Sequence, residues 1–146
     1  MFNFQVLNEV SEETLILGFK SFFQNLVDSN IRICHLYNFN PNQEVDIVYE
    51  YNIKSCKENN QYEVYGYIHN DFILKKFKII TLVKHLCSSL KISIIIPTKI
   101  DYYTVILIDK DCDTHLAEID GRNNIECIKI FSIKKDDSLY NLEDIV

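Results

Sequence analysis

The apolar and polar positions of this chain change period along its length, and each change marks an element. Residues 2–7 alternate weakly and predict a short strand. Ser11 then offers an N-cap, and Glu12 and Glu13 follow where a helix dipole favours negative charge. Leu15, Ile16, Phe19, Phe22, Phe23, Leu26 and Val27 recur at helical spacing and predict an amphipathic helix of about four to five turns. Asp28-Ser29-Asn30 ends it. Ile31–Phe39 reads as a strand and Asn40-Pro41-Asn42 as a turn. From Glu44 to Ile53 the period is two. Val45, Ile47, Tyr49, Tyr51 and Ile53 share one face, and Glu44, Asp46, Val48, Glu50 and Asn52 share the other. Such a strand belongs in an antiparallel sheet with one wet face. A polar loop follows, and Tyr62–His69 predicts its hairpin partner.

Asn70-Asp71 caps a second predicted helix, which runs to about Leu90. Its apolar set is broad, and Lys75, Lys76, Lys78 and Lys84 fall on or beside the exposed face. Ile92–Ile96 and Tyr102–Ile108 are apolar on both faces and read as central strands, with a turn at Pro97-Thr98. His115–Ile119 and Ile125–Ile133 form a last hairpin around Asp120-Gly121. Beyond Lys134 the tail is polar until Leu139, Tyr140 and Leu142. Consecutive strands joined by short turns predict an α+β fold. The expectation is a single domain over residues 1–146, with an antiparallel or mixed sheet of about 6–7 strands and two main helices on one face. A doubly wound nucleotide-binding fold would need strand and helix to alternate throughout and a Gly-rich turn after a strand; the chain has neither.

Composition supports that picture. The chain has 146 residues, 47% hydrophobic and 25% charged, which suits one globular domain with a real core. Only 3 Gly and 2 Pro argue against long disordered linkers. The start lacks the basic and apolar stretches of a signal peptide, and the longest apolar runs are too short to span a bilayer, so no membrane association is expected. Cys34, Cys56, Cys87, Cys112 and Cys127 show no paired spacing and read as reduced thiols of a cytoplasmic protein.

Charge changes the picture most. The net charge is -6, and it is unevenly laid out. Between Asp71 and Lys99 the bases Lys75, Lys76, Lys78, Lys84, Lys91 and Lys99 meet one acid, whereas Asp101, Asp109, Asp111, Asp113, Glu118 and Asp120 then meet Lys110 alone. Glu44, Asp46 and Glu50 form another acidic stretch with no base. Focused negative fields attract cationic partners and repel nucleic acid phosphate. The lysines of the second helix lack arginine company and read as a solvated face.

Candidate chemistry is sparse. Asp109, Asp111 and Asp113 fill the first, third and fifth places of an EF-hand-like loop ending at Asp120. Thr114 stands where that loop needs glycine, and the flanks read as strands, so an acidic β-turn fits better. Cys112 with His115 and His85 with Cys87 have spacings that zinc could use, yet neither pair is repeated and packing explains Cys87. A Cys–His nucleophile needs an electropositive setting, and Cys112 sits among three aspartates. No catalytic residue, metal site or cofactor is therefore assigned; a small Cys/His- or metal-dependent enzyme using the 109–120 loop is the alternative. The tyrosines say more. Tyr65 and Tyr67 share a face with Glu63, beside the strand that carries Glu44, Asp46 and Glu50. Rings beside carboxylates suit a cationic protein surface.

A small, acidic, single-domain chain with AT-rich coding bias resembles bacterial toxin-immunity proteins, including those of contact-dependent inhibition systems. The resemblance is one of size and charge. It implies a non-enzymatic module that neutralises a toxin domain, often a basic nuclease, by electrostatic steering and occlusion. The expected contacts are Glu44, Asp46, Glu50, Tyr65 and Tyr67, or the turn with Asp109, Asp111 and Asp113. A homo-oligomer held by a sheet edge or the tyrosine hairpin is a third expectation.

Overall fold

The computed structural model describes residues 1–120, 127–134 and 141–146. Among them the chain forms β1 (Phe2–Val6), α1 (Glu12–Val27), β2 (Ile33–His35), β3 (Ile47–Lys54), β4 (Gln61–Ile68), α2 (Asp71–Lys76), α3 (Ile79–Leu90), β5 (Ile94–Pro97), β6 (Thr104–Ile108), β7 (Thr114–Ile119), β8 (Ile130–Lys134) and α4 (Leu142–Ile145). The class is α+β, and the strands make one mixed sheet ordered β2-β3-β4-β1-β5-β6-β7-β8. Only β2 with β3 is parallel; the other neighbours are antiparallel. Among the described residues the sheet therefore has eight strands, one or two more than the sequence pattern gives. The first strand inserts at its centre, between β4 and β5.

One face of the sheet meets the helices. Phe4, Val64, Ile94, Ile106 and Leu116 point there and pack with Leu15, Phe19 and Phe23 of α1 and Leu82, Val83 and Leu86 of α3 in one buried cluster. Fully burying such a side chain contributes about 1.5–3 kcal/mol. Ser11 caps α1 as its sequence suggests, its hydroxyl accepting from the Thr14 N–H. Gly18 lets α1 approach α3, since a Cβ there would lie 2.8 Å from Leu86 Cδ2. Phenol groups on this side also tie the β1–α1 connection and the first residue of α1 to the sheet. Tyr51 donates to the Val10 carbonyl at 2.7 Å, Tyr49 to Glu12 at 2.9 Å, and Tyr62 to Glu9.

Three elements depart from the sequence pattern. The predicted strand Ile31–Phe39 survives as three residues of β2. His35 Nδ1 then accepts from the Tyr37 N–H and caps a 3-10 turn over Leu36–Asn38. The predicted helix from Asn70 to Leu90 is two helices. Phe77 and Lys78 are extended between them, with ψ of 134° and 124°. No Gly or Pro breaks it; Phe77 instead turns its ring into the core, 4.9 Å from Phe2 and 5.7 Å from Phe23 by centroid. The predicted strand at Glu44–Ile53 begins at Ile47. Of the last hairpin, Thr114–Ile119 and Ile130–Lys134 pair as expected, while 121–126 and 135–140, with Leu139 and Tyr140, lie outside the described residues.

The cysteines also need correction. Cys56 and Cys127 are joined by a disulfide, with Cα atoms 5.9 Å apart, although no spacing motif links them. Cys34, Cys87 and Cys112 are free thiols. Burial pushes the Cys87 thiol up to about 12, and it packs against the Ile108 carbonyl as an ordinary core residue. No helix among the described residues is long and apolar enough to cross a membrane.

Candidate functional site

The face of the sheet turned away from α1 and α3 is the part of this molecule that offers chemistry. The register sets its composition. In β1 the alternation that buries Phe2, Phe4 and Val6 against the helices sends Asn3 and Gln5 to the other side. Asn3 lies opposite Tyr65, Gln5 opposite Glu63, Tyr65 opposite Glu50, and Tyr67 opposite Val48. The open face thus carries Glu50, Glu63, Tyr65 and Tyr67 as neighbours across two strands, with Asn3 and Gln5 beside them. Tyr67 donates to Glu50 Oε1 at 2.9 Å, and the Glu63 carboxylate lies near the Tyr65 phenol. Burial and then the Glu63 carboxylate raise the Tyr65 phenol to about 12; the bond to Glu50, more than burial, raises Tyr67. Both phenols stay neutral at physiological pH. Lys54 Nζ lies 3.7 Å from Glu63 Oε1.

A cleft opens beside Tyr65. It has a volume of about 400 Å³ and a floor that includes Ile95, Val105 and Ile119. Glu63 and Gln5 stand on one side, and Tyr102, from the β5–β6 loop, stands at 72% exposure on another. Gln5 is 5% exposed, and its amide donates to Gln61 Oε1 at 2.6 Å. Gln61 in turn clasps the backbone of Ile128 through both amide groups, at 2.8 Å each. This clasp and the neighbouring disulfide pin residues 127–128 to β4 and the β3–β4 loop, just before the chain enters β8. Leu7, Ile95, Leu107, Ala117 and Ile128 pack there in a small second apolar cluster.

The expected contact residues divide into three groups. Glu50, Tyr65 and Tyr67 do meet. Glu44 and Asp46 precede β3 and do not join them. Glu44 is exposed on the loop, whereas Asp46 is a scaffold residue: its carboxylate accepts from the Arg32 N–H and from Asn70 Nδ2, each at 2.8 Å. Reversing its charge would disturb β2 and the α2 cap together, so Asp46 is a poor probe of binding.

Asp109, Asp111 and Asp113 form the third group, at the far end of β6 from the cleft. Asp109 organises the β6–β7 turn. Its Oδ1 accepts from the N–H groups of Asp111 and Asp113 at 2.9 and 3.0 Å, and its Oδ2 lies 3.2 Å from His115 Nε2. Cys112 occupies the left-handed region at φ 66° and sends its thiol to the Lys84 carbonyl at 3.3 Å, while His115 faces Asp109. Among the described residues no group of three or more His, Cys, Asp or Glu is placed to hold a metal ion.

Partial burial raises the Asp109 carboxyl, but the Asp113 N–H, His115 and the Asp111 N–H outweigh it and leave the group below its usual range. The lowered value means that Asp109 stabilises the fold above the unfolded carboxyl value of about 3.9, and that this contribution fades as pH falls through the folded value. Asp109→Asn is therefore expected to lower the urea midpoint at pH 7 and to narrow the drop between pH 7 and pH 3. Equal drops in both proteins would show that the turn does not contribute this acid sensitivity.

The sequence pattern places Glu63 with Tyr65 and Tyr67 but does not bring Asn3, Gln5, Lys54 and Tyr102 to the same surface. The signal available was the pair of polar residues interleaved with Phe2, Phe4 and Val6, which marks a strand with one polar side. Nothing local showed that this strand sits at the centre of the sheet. No family model, curated protein or solved structure matches the chain significantly.

Proposed function

We propose that this protein is a non-enzymatic binding module whose open sheet face docks a basic protein, and that it acts as an immunity protein neutralising a cognate toxin domain in the cytoplasm. The observation that carries the reading is the side-by-side placement of Glu50, Glu63, Tyr65 and Tyr67 on a face that α1 and α3 leave uncovered. Phenols supply contact area at low entropy cost, and the carboxylates beside them supply the field that steers a cation. Charge complementarity of this kind speeds association more than it deepens affinity.

The reading predicts that Glu50→Lys with Glu63→Lys slows association with the basic partner by about tenfold or more at low salt and flattens the dependence of that rate on ionic strength. Stopped-flow mixing measures both. An immunity role adds a cellular result. The partner expressed alone arrests growth, co-expression of this protein restores it, and the double variant restores it poorly. A rate and salt slope unchanged in the folded double variant would remove the open face from the interface.

A further inference from the structure

We propose that the cleft beside Tyr65 receives one arginine side chain of the basic partner, with its guanidinium at Glu63 and its methylene stem on Ile119 and Ile128. The inference rests on the open-face reading and gives it a point of specificity. A volume of about 400 Å³ equals on the order of ten waters, enough for one long side chain and too little for a folded element. The surfaces of the cleft match the two halves of that side chain. Ile95 and Val105 are nearly fully buried at its base, and Ile119 and Ile128, which stay partly exposed, offer the apolar surface for a stem.

Glu63 and the rings of Tyr65 and Tyr102 offer a carboxylate and two aromatic faces for a flat cation. Guanidinium fits this set better than ammonium, because it is planar, stacks on rings and can bond a carboxylate through two N–H groups. Lys54 balances one carboxylate at a long 3.7 Å, and Glu50 opposite Tyr65 keeps the neighbourhood negative. Asp101 and Asp120 also line the cleft but are engaged within the chain, so the inference rests on Glu63.

The test uses the full chain, labelled with 15N, and a capped Gly-Arg-Gly peptide, with capped Gly-citrulline-Gly as the uncharged isostere. The arginine peptide is expected to shift the side-chain amides of Asn3 and Gln5 and the backbone amides of Ile95 and Val105 saturably. The citrulline peptide should bind about tenfold more weakly. Glu63→Gln should weaken the arginine peptide by a similar factor. Tyr102→Ala, at an exposed position, should weaken it without altering the melting temperature. Cleft amides that stay still, or that respond equally to both peptides, would overturn the inference. If they stay still while Glu50→Lys with Glu63→Lys still slows the protein partner, the docking face stands and the arginine cleft falls. Shifts in the cleft with a partner indifferent to those charges would do the reverse.

Discussion

Gly66→Ala is expected to destabilise the protein by about 3 kcal/mol, the upper end of what overpacking a core costs. Gly66 lies in β4 opposite Phe2 of β1 and Tyr49 of β3, near the centre of the sheet. A Cβ there would stand 2.1 Å from Phe2 Cζ and 2.4 and 2.6 Å from the two Cε atoms, inside the ring's own volume. The ring cannot simply tilt away, because Phe19 and Phe77 hold it at centroid distances of 6.3 and 4.9 Å. The cost should therefore appear as a lower urea midpoint with an unchanged slope. Phe2→Leu shortens the offending side chain, so Gly66→Ala should cost much less in that background than in the native one. Additive effects in that cycle would mean that the two positions do not touch.

Loss of the Cys56–Cys127 disulfide is the second large effect. The bond closes a loop with a sequence separation of 71 residues, and the chain-entropy account assigns about 4 kcal/mol to a loop of that size. A dithiol reductant, or Cys56→Ser with Cys127→Ser, should lower the thermal midpoint by an amount that matches between the two treatments. Local opening should go further. The Ile128 amide, held by Gln61, is expected to lose hydrogen-exchange protection before the amides of β6. A midpoint indifferent to reductant would show that the tie carries no stability. The bond also bears on where the protein works. A lasting disulfide belongs to an oxidising compartment, whereas the proposed immunity role places the protein in a reducing one. Thiol counting on protein taken from the cell separates the two: two blocked thiols would contradict a cytoplasmic site of action.

What could be read in the sequence follows the range of the forces involved. α1 was legible because Ser11, the two glutamates and the spacing of Phe19, Phe22 and Phe23 all act within a few turns. The hairpin of β3 with β4 was legible because its alternation is local, and with it the meeting of Glu50 with Tyr65 and Tyr67. The break at Phe77 was not, because a tertiary contact with Phe2 and Phe23 outweighs a continuous helical pattern. Asp46 looked like the wet face of a strand, and only the fold shows Arg32 and Asn70 arriving at its carboxylate. The cleft was hidden for the same reason. Its members come from β1, β3, β4, β5, β6, β7, the β5–β6 loop and Ile128, and nothing short of the sheet order assembles them. The pairing of Cys56 with Cys127 likewise depends on the chain crossing the open face.

The central claim is that the open face holds a basic protein, and one measurement meets it most directly. Native protein and the Glu50→Lys, Glu63→Lys variant are used side by side as baits in the source cell, and the captured material is weighed by mass spectrometry at low and high salt. The account predicts a stoichiometric basic protein on the native bait at low salt, less of it at high salt, and little on the variant at either. Equal capture by both folded baits, or no basic protein on the native one, would contradict it.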